Sequence, residues 1–156
     1  MGNSAPTASA GPDQASIASG AKVTLDGSAS NDTDPGQVLS YKWRQLSGSN
    51  VTLSSTTVGN PSFDAPTLAV GVPSEVLVFE LVVNDGHTAS SPDTVTITVR
   101  DQTAPSVTIT GLPGKLEANT SAQVTVTFTE PVTGFVETDL TVVNASVSNF
   151  AGSGAV

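Results

Sequence analysis

Between Val76 and Arg100 the chain carries two strongly β-patterned runs joined by a turn signal, and few architectures accept that arrangement. The first run is Val76-Leu-Val-Phe-Glu-Leu-Val-Val-Asn, and Asn84-Asp85-Gly86-His87 closes it with residues that favour tight turns. The second is Asp93-Thr-Val-Thr-Ile-Thr-Val-Arg, in which Val95, Ile97 and Val99 alternate with Thr94, Thr96, Thr98 and Arg100. Alternation with period two marks a strand with one buried and one wet face. A short polar linker, Asp101-Gln-Thr-Ala-Pro, then opens a new β-patterned segment. This is how an extracellular β-sandwich ends and passes to its neighbour, and the chain reads as all-β.

Other segments agree. Lys22-Val-Thr-Leu-Asp-Gly predicts a strand with Val23 and Leu25 inward. Leu39 to Arg44 sets Leu39, Tyr41 and Trp43 on one face, with Ser40, Lys42 and Arg44 on the other. A lone Trp on such a strand is more often the centre of a sandwich core than a ligand platform. Val51-Thr-Leu predicts a short strand and Pro61 to Pro66 a further extended piece, giving about seven strands with the two opening runs. Residues 3–15 are Ala-, Pro- and Gly-rich and extended, and 66–75 form a loop. No segment repeats apolar residues at helical spacing over three turns.

The charge balance narrows the function. Net charge is −9, with four Lys/Arg and ten Asp/Glu up to Asp101 and one and four after it. With no basic stripe to release counterions, nucleic acid is excluded as a partner, and anionic membrane surfaces are disfavoured. Acidity of this kind serves solubility or divalent cation sites. There are no cysteines, which removes disulfides, thiolate metal sites and cysteine catalysis. No apolar stretch approaches the ~20 residues of a membrane span, so membrane insertion is not expected. No signal peptide precedes the first strand, and the expectation is a piece of a longer exported protein. Sequons stand at Asn31, Asn50, Asn119 and Asn144, as Ser- and Thr-rich composition produces by chance. Catalysis finds little support: His87 is the only histidine, and no serine has a nucleophile-elbow context.

Residues 3–100 resemble a polycystic-kidney-disease-type (PKD-like) domain, an immunoglobulin-like β-sandwich. The resemblance rests on Asn3 to Gly11, on Leu25-Asp-Gly-Ser to Asp34, on Tyr41-Lys-Trp, and on Phe79-Glu-Leu-Val-Val-Asn-Asp-Gly. The W-D-F-G-D of many members is replaced by Trp43-Arg-Gln-Leu-Ser-Gly, similar to a variant in bacterial surface proteins and some animal receptors. Ser106-Val-Thr-Ile-Thr-Gly, Gln123 to Val132 and Phe135 to Leu140 resemble bacterial Ig-like adhesin repeats. A sandwich of that kind takes roughly 100 residues, whereas 55 run from Gln102 to Val156. The expected organisation is a PKD-like sandwich over 1–101, able to fold alone, and an incomplete Ig-like one over 102–156. That second part is either truncated or completed by another chain through strand addition.

Two Asp-bearing loops form the best candidate site, because calcium takes six to eight hard oxygens and short carboxylates supply them. The resemblance implies a calcium ion held by Asn3, Ser4, Asp32 and Asp85, with Asp34 nearby. The competing reading is that these residues make Asx-turns. A weaker candidate pairs Asp101 with Glu130, Glu137 or Asp139. The function expected is a non-catalytic spacer in a bacterial surface adhesin, at the cell surface, stiffened by calcium. Its partners would be neighbouring Ig-like domains and a cell-surface protein or polysaccharide. The alternatives are a substrate-binding module of a secreted polymer-degrading enzyme, or a filament subunit that self-associates through the incomplete sandwich.

Overall fold

The structure is a computed structural model that describes residues 2–152; the expected second domain's stretch 153–156 lies outside them. The chain divides between Gln102 and Thr103 into two compact units. The first contains six strands: β1 (Gln14–Ala18), β2 (Lys22–Thr24), β3 (Ser40–Ser47), β4 (Ser62–Asp64), β5 (Ser74–Asn84) and β6 (Asp93–Arg100). They form a four-stranded sheet in the order β1-β6-β5-β3 and a two-stranded sheet, β2-β4. The unit is an all-β, immunoglobulin-like sandwich.

The core follows from the alternation. β5 turns Leu77, Phe79, Leu81 and Val83 inward, and β6 adds Val95, Ile97 and Val99, all essentially without exposure. The antiparallel register sets Leu77 opposite Ile97 and Phe79 opposite Val95. Val23, Leu25 and Phe63 come from the β2-β4 side, and the Phe63 and Phe79 rings lie 4.9 Å apart. Each such side chain contributes roughly 1.5–3 kcal/mol on burial. Trp43 on β3 is 2% exposed, and its indole N–H donates to the Val58 carbonyl at 3.1 Å. That bond spares a buried donor, and the indole is core, not a ligand platform. Leu39 and Tyr41 pack against the same core half-buried.

Two local differences from the sequence reading have clear causes. Val51–Leu53 is not a strand: the Val51 amide donates to the Gln45 side chain at 3.1 Å instead of to a ladder. Its apolar side chains still pack on the core. Conversely, β1 is a strand where none is expected. It pairs in parallel with β6, matching Gln14 to Ile97, Ile17 to Val99 and Ala18 to Arg100. Ser16 between them has φ of +64°, and the register shifts there. A left-handed residue in mid-strand breaks the alternation by which strands are recognised.

In the second unit β7 (Val107–Thr110) and β8 (Thr125–Phe128) form an antiparallel pair, and a short 3-10 turn follows at Glu137–Asp139. Phe135 packs edge-on to Phe128 at 5.1 Å and lies 5.8 Å from Phe150. Val107 and Ile109 remain about half exposed. Among the described residues this unit has one two-stranded sheet, less than a sandwich.

Candidate functional site

The turn that ends β5 builds the first half of the site. Asn84 Oδ1 accepts the Gly86 amide at 2.7 Å, and Gly86 takes φ of +94°, which glycine adopts without strain. Asp85 Oδ1 accepts two amides, His87 at 2.7 Å and Thr88 at 2.6 Å. Its other oxygen, Oδ2, accepts the Asn3 amide nitrogen at 2.8 Å, 82 residues away in sequence. Asp85 is 4% exposed. The Thr88 amide, then the Asn3 side chain, hold its pKa down at about 2 by favouring the carboxylate.

The loop after β2 builds the other half. Asp32 Oδ1 accepts the Asp34 amide at 2.8 Å, an Asx-turn, and Asp34 Oδ2 accepts the Ser4 amide at 2.6 Å. Ser4 thus enters through its backbone. Asp32 Oδ2 is buried with no hydrogen-bond partner. Thr7 and Asn31 exchange backbone hydrogen bonds at 2.8 and 3.0 Å, laying the N-terminal segment along this loop.

Asn3 joins the halves. Its Nδ2 lies 2.8 Å from Asp85 Oδ2, 3.0 Å from the Ser4 carbonyl and 3.2 Å from Thr88 Oγ1. An amide nitrogen has two hydrogens, so three oxygens exceed what it can satisfy. Asn3 Oδ1 in turn accepts from Gln37 at 3.2 Å. Asn3 therefore reaches Asp85 directly, Ser4 reaches Asp34, and Asp34 reaches Asp32. The Asx-turn reading describes one oxygen each of Asp32 and Asp85. Among the described residues no three Asp, Glu, His or Cys side chains form a metal-holding group. The donors still fit a hard cation in kind, with one buried oxygen unpartnered and an excess of acceptors at Asn3. Sequence reasoning missed Thr88 and Gln37, whose contacts depend on the approach of the N-terminal segment and leave no motif.

On the outer face of the large sheet, Arg44 grips Glu80 through two hydrogen bonds, 2.6 and 3.1 Å, beside a shallow groove of about 190 Å³ lined by Lys42, Arg44, Glu80 and Val82. The pair lowers the Glu80 pKa and raises that of Arg44. In the second unit, Glu130 accepts the Thr103 hydroxyl at 2.8 Å and Asp139 accepts the Val136 amide at 2.9 Å.

Residues 10–99 match the family model described as K319L-like, PKD domain, and residues 101–156 match one for a bacterial Ig-like domain. Domains of these families are typically non-catalytic and typical of extracellular proteins. Among solved structures, the chain is similar to a nucleoside hydrolase-related hypothetical protein from Saccharophagus degradans that is associated with carbohydrate metabolism. The TM-score is 0.51 at 22% identity, over 63% of this chain and 26% of that one. This likeness concerns fold alone, and the chain spans about a quarter of that protein. No curated protein matches the chain. Among the described residues no helix is long and apolar enough to cross a membrane.

Proposed function

We propose that this chain, which belongs to the K319L-like PKD-domain family, is a non-catalytic extracellular spacer that bears tension in a bacterial surface adhesin. The observation that carries the reading is the parallel pairing of β1 with β6. In a parallel pair the chain enters one strand at the end opposite to that where it leaves the other. Pulling on the two ends then loads the bonds between β1 and β6 together and does not unzip them singly. The domain boundary in this reading falls at Asp101, directly after β6.

Calcium is the cofactor of this reading, held by Asn3, Ser4, Asp32, Asp34 and Asp85 with Thr88 beside them. A bound cation crosslinks hard oxygens. Here it would tie the entering segment to the loops after β2 and β5. The unpartnered Asp32 Oδ2 and the three acceptors around one Asn3 nitrogen support it. The test is thermal unfolding with calcium and with a chelator, on the wild type and on Asp32→Ala/Asp85→Ala. Binding to the native state alone adds roughly 2.7 kcal/mol at a hundred times the dissociation constant. A calcium-dependent rise in Tm that the double variant loses is expected. Equal Tm with and without calcium would remove the cation from the account.

A second reading is a substrate-binding accessory module of a secreted polymer-degrading enzyme. Against it stands the placement of the first unit's aromatics: Trp43, Phe63 and Phe79 are buried and Tyr41 packs on the core. No flat aromatic strip is left for a sugar chain among its described residues.

A further inference from the structure

A serine at φ of +64° in the middle of a strand carries backbone strain, and such strain persists where something around it is gained. Ser16 lies in the register shift of the β1-β6 pair, and the Gln102 side-chain amide donates to its carbonyl at 2.8 Å. These two residues are 86 apart in sequence and meet where β6 leaves the sandwich. The exit is also held by backbone bonds, among them the Ser19 amide donating to the Arg100 carbonyl at 3.1 Å and the Asp101 amide to the Pro73 carbonyl at 3.1 Å. Arg100 and Gln102 are thus tied toward β1, and Asp101 toward the start of β5. β6 lies between those two strands in the sheet.

We infer that Gln102 is a mechanical latch, passing tension from the following segment into β1 as well as β6. Without it, the pull reaches β1 only through the Ser19–Arg100 bond and the β1-β6 ladder beside it. With it, a further bond runs directly to the middle of β1 and shares that load. The Ser16 carbonyl, within the register shift of β1, is the seat of the latch. The inference rests on the spacer reading and adds a positioning residue to it.

Force spectroscopy on the full chain tests it, comparing wild type with Gln102→Ala and Gln102→Glu; glutamate keeps the length but offers the carbonyl no donor. Unfolding of the first unit is recognised by its length gain, on the order of 340 Å through the chain ends for about 100 residues and on the order of 150 Å through Ser40 and Asn84 for the ~45 residues between them. Pulled through the chain ends, both variants unfold roughly threefold faster than wild type, as loss of one modest hydrogen bond predicts. Pulled through cysteines placed at Ser40 and Asn84, which lie opposite each other on β3 and β5, they match wild type. Unchanged rates through the ends, or equal acceleration in both directions, would overturn the latch and leave the spacer reading intact. A wild type that unfolds as readily through its ends as through Ser40 and Asn84 would overturn both.

Discussion

Asp85 divides its two oxygens between two tasks: one closes the turn after β5, the other holds Asn3. Both contacts favour the carboxylate and depress its pKa from 3.8 to about 2. A group depressed on folding stabilises the native state above its unfolded pKa, and that contribution is lost as pH falls through the folded value. Wild type therefore loses this contribution between about pH 4 and 2. Asp85→Asn lacks it at every pH, so the stability gap between the two, measured by urea unfolding, is full at pH 6 and closes below pH 4. A gap independent of pH would mean that the Asp85 charge is immaterial. At this scale the sequence shows which residues are candidates, since Asp32, Asp34 and Asp85 stand in turn-forming contexts. It does not show which atoms meet. Asn3 reaches Asp85 across 82 residues, and Gln37 and Thr88 join through contacts no spacing records.

β6 and β1 show what makes a strand legible. β6 reads clearly because valine and isoleucine alternate with threonine over its whole length, and both faces keep their roles in the sheet. β1, Gln-Ala-Ser-Ile-Ala, has a single β-branched apolar residue and a left-handed serine at its centre. Its strand state comes from pairing with β6, not from its own pattern. Val51–Leu53 fails the other way, with β-type composition but an amide committed to the Gln45 side chain. If Ser16 is strained as its φ indicates, Ser16→Gly relieves it while keeping the carbonyl that Gln102 uses. The balance of relief against glycine's larger unfolded entropy is about 0.5–1 kcal/mol of added stability. A denaturant midpoint that falls in this variant would show that the serine side chain, not the backbone turn, holds the bulge.

For the whole molecule, the alternation of the opening strands makes the sandwich of the first unit legible. The second unit is legible only through its motifs, because a two-stranded sheet with half-exposed valine and isoleucine leaves little core for a pattern to report. What the sequence conceals is the mechanical geometry. The parallel contact between the first strand and the last strand of the sandwich exists only after folding, and in the proposed spacer it is the contact that bears the pull. The absence of cysteines makes this directly testable, since handles can be placed at will. The decisive measurement compares wild-type unfolding rates of the first unit at equal force, pulled through the chain ends and through cysteines at Ser40 and Asn84. The account predicts markedly slower unfolding through the ends, where β1 and β6 are sheared, than through β3 and β5, which separate bond by bond. Equal rates in the two directions, or faster unfolding through the ends, would contradict it.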